Sequence, residues 1–281
     1  MNLLKKNVLK KIGDEAMPFA LGIPAFLWQI LFFYIPLLLV FILSFPTFSW
    51  EYFTPFFASE YVSVIVRTVL IALSTAFFCL CIAYPIVYLI VFKGGRFKHM
   101  FFLFLLLPFL TTFLLHIYAW MFVLERGGVI NVLLQSVGLI SEPLHLLNSS
   151  FAVIFVMVYC YLPFMILPLY SSLEKFDKRF FEASYDLGAT WWQTLWRVLI
   201  PLSFPGIRSG FFLVLVPAFG EFAIPELVGG DKKMFVGSII THYTMGAQTA
   251  SLGAAFTLLT AFILLIVVVA VYGITVKIFK Q

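Results

Sequence analysis

FAVIFVMVYCYLPFMILPLYSSL, residues 151–173, runs for 23 positions without an Asp, Glu, Lys or Arg. At about 1.5 Å per residue a helix of that length reaches roughly 35 Å, enough to cross a hydrocarbon core about 30 Å thick. Working outward, charge-free or nearly charge-free stretches recur at residues 18–45, 68–92, 100–124, 209–228 and 251–276. The spacing predicts an all-α transmembrane chain: a segment 1–17, then one domain over 18–281 with six helices. Pro24, Pro36, Pro85, Pro108, Pro163, Pro168 and Pro217 fall inside these spans. In a bilayer they predict kinks rather than breaks, because neighbouring groups re-satisfy the freed backbone.

Composition points the same way. Hydrophobic residues are 63% of the 281 positions and charged ones 11%, a balance that excludes an ordinary soluble domain. The net charge of +5 fits basic residues retained on the cytoplasmic face rather than nucleic-acid binding. With the amino terminus inside, fourteen of the 18 Lys and Arg fall on the cytoplasmic side, among them Lys5, Lys6, Lys10, Lys11, Lys93, Lys175, Arg197 and Lys277. Arg67, Arg126, Lys232 and Lys233 remain outside. This asymmetry predicts a multi-pass plasma-membrane protein with both termini in the cytoplasm. The apolar run after Met17 is too long for a signal-peptide core of roughly 7 to 15 residues, so it is read as a retained span. Cys79, Cys81 and Cys160 lie in apolar stretches, where buried thiols are expected and a metal site lacks ligands.

Two connections are long: the external one at 125–150 and the internal one at 174–208. Residues 129–140, with polar Asn131, Gln135 and Ser136, are expected to form a short amphipathic helix along the outer interface. The internal connection is no plain tether. EKFDKRFFEASYDL at 174–187 has helical character, Gly188 permits a turn, and Thr190 is a candidate N-cap for a second amphipathic helix expected to end before Pro201. Phe180, Phe181, Trp191, Trp192 and Trp196, with Glu182 and Asp186 one turn apart, give this knob aromatic anchors and charge. That mixture suits a protein interface, and equally a helix resting at the headgroup boundary.

Glu182-Ala183-Ser184, Gly188 and Val198-Leu199-Ile200-Pro201 resemble the cytoplasmic signature of ABC importer permeases: Glu-Ala-Ala, three residues, Gly, nine residues, Ile-x-Leu-Pro. Ser184, Val198 and Ile200 depart from it in identity but keep size and character. The resemblance implies the type I permease fold and a loop at 174–208 that docks on an ATPase subunit. Further segments, Ile117-Tyr118-Ala119-Trp120, residues 161–175 and residues 217–230, are similar to a permease of spermidine/putrescine importers. They imply a polyamine cargo, a second homologous permease, two ATPase copies and an extracytoplasmic binding protein. ATP and Mg would be bound by the ATPase partners, with no cofactor in this chain.

Within the spans Glu221 stands out, since an ionisable group at membrane depth is by default a functional candidate. Thirteen residues beyond Arg208, it is expected roughly 20 Å from the inner boundary. There a carboxylate could line a path for a cation, or cap a kink or pair with a buried Arg. Glu226 follows five residues later, turned about 140° in an unbroken helix. His116, Tyr118 and Trp120 are further candidates for the path, the two rings through cation–π attraction. No Gly-x-x-x-x-Gly-Lys-Ser/Thr, His-Glu-x-x-His or Gly-x-Ser-x-Gly occurs, and His99, His116, His145 and His242 are scattered. A transporter subunit with no ATPase site of its own is expected, against the alternatives of an ABC permease for another small solute and an intramembrane enzyme.

Overall fold

The structure, a computed structural model, describes residues 22–45, 50–177, 179–230, 234–245 and 250–279. The expected segment 1–17, with its four lysines, lies outside them, as do Lys178, Lys232, Lys233 and Lys280. The described residues are helices and their connections, with no strand. In chain order the helices are α1 (Gly22–Ser44), α2 (Ser59–Lys93), α3 (Lys98–Leu106), α4 (Phe113–Leu124), α5 (Val129–Ser136) and α6 (Ser150–Glu174). There follow α7 (Arg179–Asp186), α8 (Trp191–Gly220), α9 (Ala223–Val228), α10 (Val236–Met245) and α11 (Ala250–Phe279). Six stretches among the described residues are long and apolar enough to cross a membrane.

The centre is a three-helix packing of α2, α6 and α8. Helix α2 turns a seam of small residues inward, Ala72, Ala76, Cys79 and Ala83, each fully buried. With no water-driven attraction between helices inside lipid, such seams let backbones approach closely and gain contact. Gly206 and Gly210 do the same for α8. A Cβ on Gly206 would lie 2.4 Å from the Ser172 Cβ, and one on Gly210 2.7 Å from the Met165 sulfur. Helix α11 packs on α10 and α1, while residues 23–39 of α1 are all exposed.

Several ends differ from the spans read in the sequence, each for a local reason. Helix α2 begins at Ser59, ahead of residue 68. The third crossing is not continuous over 100–124. Helix α3 gives way to a tight turn at Leu107–Leu110, where Pro108 has no N–H to donate. Thr112 is then extended (φ −66°, ψ 135°) and α4 starts afresh. The fifth span is not 209–228. It runs from Trp191 to Gly220, stops, and α9 follows. Prolines next to widened turns leave helices intact: the Ile200 N–H reaches the Leu195 carbonyl five residues back just before Pro201. Ile35 bonds Ile30 likewise before Pro36. Pro201 therefore does not end a helix, contrary to expectation.

In the connection after α4, the expected short helix is present as α5, with Gln135 and Ser136 exposed but Asn131 turned inward. Asn131 is fully buried. Its amide donates to the Leu144 carbonyl at 3.0 Å and its oxygen accepts from the Leu144 N–H at 2.9 Å. Val129, Val132 and Leu133 are left exposed.

Candidate functional site

Two regions carry the residues singled out in the sequence. The first is the knob formed by residues 174–208. Helix α7 ends in a turn closed by Gly188 at φ +75°, a left-handed backbone that suits glycine. Thr190 then caps α8: its hydroxyl accepts from the Gln193 N–H, while the Gln193 side chain accepts from the Thr190 N–H at 2.8 Å. The two helices are joined by a buried pair of hydroxyls, Ser184 to Thr194, at 2.9 Å. Ser184, read as a neutral replacement for the second Ala of the signature, is thus a cross-brace, and Thr194 is its unforeseen partner.

The knob's aromatics divide into two sets. Trp192, 64% exposed, points outward together with Phe180, Glu182, Ala183 and Asp186. Trp191 is only 42% exposed and donates its ring N–H to the Tyr88 hydroxyl at 3.2 Å. Phe181 is turned inward too, its ring 5.1 Å from both Phe92 and Phe176. Trp191 and Phe181 therefore fasten the knob to the end of α2, and Trp191 keeps part of its ring exposed. Pro201 is exposed, in the first turn beyond the widened stretch of α8. Nearby, Lys98 pairs with Glu174 at 2.9 Å, and this bond raises the lysine's pKa above its ordinary value.

The second region surrounds Glu221, which does not sit inside an unbroken helix. It occupies the break after α8 with extended backbone (φ −66°, ψ 132°) and is 9% exposed. One carboxylate oxygen accepts from the N–H groups of Phe222 at 3.0 Å, Ala223 at 2.9 Å and Ile224 at 3.4 Å. The other accepts from the Tyr161 hydroxyl at 2.5 Å. Of the readings open in the sequence, the cap of a kink is the one built here. The alternative pairing with a buried Arg is not present among the described residues, and Arg208 stacks instead on the Tyr272 ring at 4.8 Å. Arg208 also lies well inside α8, so counting from it as the inner boundary does not fix the depth of Glu221.

Glu221 still faces a cavity of about 330 Å³ that also holds His116, Thr111, Phe113, Tyr159 and Phe164. His116 Nε2 lies 2.9 Å from the Thr111 hydroxyl. Trp120 packs edge-on against Tyr159 at 5.3 Å, behind the cavity wall, and Tyr118 is exposed without lining it. Glu226, exposed on α9, borders a different cavity with Tyr61, His242 and Tyr243. The two carboxylates are not brought together. Tyr161 and Phe164 were missed as site residues because nothing local in the sequence relates position 161 to position 221.

Residues 2–280 match the family described as "Binding-protein-dependent transport system inner membrane component". The chain belongs to that family. This permease is 36% identical over 243 residues to the spermidine/putrescine transport system permease protein PotB of Haemophilus influenzae, covering 83% of this chain and 85% of that one. It is 34% identical to the PotB of Escherichia coli K12, over 81% and 86% of the two chains. Its fold is shared with a permease chain of the bacterial alginate ABC transporter solved with its periplasmic protein (TM-score 0.77, 18% identity, 97% and 98% coverage). It is thus a multi-pass inner-membrane protein and a transport-system permease subunit.

Proposed function

We propose that this permease is one half of the translocation pore of an ATP-driven importer for polyamines, spermidine and putrescine being the reference cargo. The observation that carries the cargo is the 36% identity to a spermidine/putrescine permease over most of both chains. Its partners are a second homologous permease, two copies of an ABC ATPase that bind ATP and Mg, and an extracytoplasmic binding protein. Both termini lie in the cytoplasm, on the strength of the Lys and Arg asymmetry.

In this reading the outward face of the knob, Glu182, Ala183, Asp186 and Trp192, docks in the ATPase subunit. Ser184, Gly188, Trp191 and Pro201 hold its shape. The path runs past Glu221 and His116, with Glu226, Tyr118 and Trp120 nearer its outer margins. Alternating access then follows from movement of the knob. The fold alone does not choose the cargo, since the alginate transporter shares it.

Proteoliposomes containing the whole assembly test this with labelled spermidine and putrescine. Uptake is expected to need ATP and the binding protein, and to fall at least tenfold with Glu182→Ala. An intact assembly that ignores both amines overturns the cargo; one in which Glu182→Ala transports normally overturns the docking role.

A further inference from the structure

The cavity beside Glu221 has a chemistry of its own. Five aromatic side chains besides His116, those of Phe109, Phe113, Tyr159, Tyr161 and Phe164, line it together with the Glu221 carboxylate, and no Lys or Arg is among the described lining residues. Ring faces carry partial negative charge and attract cations, the more so where water is excluded. Glu221 adds a carboxylate, and its orientation is set on one side by three backbone N–H groups and on the other by Tyr161. The carbonyls that close α8 at Gly220 add the negative end of a helix dipole next to that carboxylate. Pro163, on the same wall, has no N–H to give to the Tyr159 carbonyl one turn earlier.

Size narrows the ligand. About 330 Å³ is at the low end of the roughly 300–1,000 Å³ of small-molecule sites, room for an aminoalkyl segment. The second carboxylate that a diamine would need at its other end is absent from this cavity, because Glu226 borders another one. We infer that this cavity is a half-site for one primary ammonium group, held between the Glu221 carboxylate and the rings of Phe113, Tyr159 and Phe164, with the rest of the amine extending out of it. Tyr161 is a positioning residue, and discrimination by chain length lies elsewhere in the pore. This rests on the polyamine reading above and deepens it.

A half-site makes a distinctive demand: a monoamine should occupy it as well as a diamine does. The assembled complex in lipid nanodiscs, without the binding protein, is equilibrated with labelled putrescine and unlabelled n-butylamine. Butylamine should compete, and n-butanol should not. Phe164→Met, which keeps volume and removes the ring, should weaken putrescine binding roughly two- to thirtyfold, the range of one desolvated cation–π contact. Phe164→Tyr, which keeps the ring, should stay within about twofold of the wild type.

Glu221→Gln retains an oxygen for the α9 N–H groups and should weaken binding more than Phe164→Met does. Binding that butylamine does not disturb, binding unaffected by Phe164→Met, or equal losses in the Met and Tyr variants would each overturn the half-site. Absence of putrescine binding in a complex whose proteoliposomes import putrescine would overturn it while leaving the cargo in place. Wild-type proteoliposomes that import no polyamine would remove the cargo reading and this inference with it.

Discussion

At the scale of single residues, the helix contacts turn on where side chains are missing. Gly206 lets α8 lie against Ser172 of α6 so closely that even a methyl group has no room, whereas a Cβ on Gly220 at the end of α8 meets nothing within 4 Å. Gly206→Ala is therefore expected to force the helices apart, at a cost of about 1–3 kcal/mol for overpacking. It should lower the thermal unfolding midpoint of the purified assembly in detergent. Gly220→Ala should leave that midpoint within a degree or two, and equal midpoints for the two variants would contradict this account. The buried Ser184–Thr194 pair belongs to the same scale. Its role was hidden in the sequence because a serine in place of alanine looks like a loss of nothing; only the return of the chain ten residues later gives the hydroxyl a partner.

At the scale of elements, the connection at Gly188 joins two helices whose relative angle shapes the knob. The backbone there is left-handed, with open space around the missing side chain, so the difficulty for any replacement is conformational rather than steric crowding. A β-branched residue at positive φ costs on the order of 1–3 kcal/mol, while asparagine tolerates it. Gly188→Val should uncouple ATP hydrolysis from uptake in proteoliposomes, with more ATP consumed per amine moved; Gly188→Asn should remain close to wild type. Normal coupling with Val would show that the turn has no such role.

Elements are also where the sequence was most and least legible. Long apolar runs such as 151–173 and 251–276 report their helices directly, since lipid demands a continuous internally bonded backbone. The breaks at Thr112 and Glu221 leave a fainter trace, Pro108 just before the first and a lone carboxylate at the second. Glu221 ends α8 by capturing the N–H groups of the next turn and the Tyr161 hydroxyl, sixty positions away.

At the scale of the whole molecule, exposed apolar surface is the dominant feature. Residues 23–39 are exposed throughout, and Leu187 and Leu139, 89% and 70% exposed, mark the tips of the inner knob and the outer connection. In the proposed topology these tips lie on opposite sides of the membrane. With the native cysteines replaced, Leu139→Cys should react with a membrane-impermeant maleimide in intact spheroplasts, and Leu187→Cys only after permeabilisation. The reverse pattern would invert the topology and remove the knob from the cytoplasm.

The continuity of α8 through the widened turn at Leu195–Leu199 has a mechanical corollary. Thirty residues of one helix make a rod about 45 Å long, with Trp191 at one end and the Glu221 break at the other. Pivoted at either end, such a rod turns a tilt of about 5° into a sideways displacement of roughly 4 Å at its far end. That is comparable with the thickness of a methylene chain, so in the proposed transport cycle a small angular change at the knob end would be felt at the cavity beside Glu221.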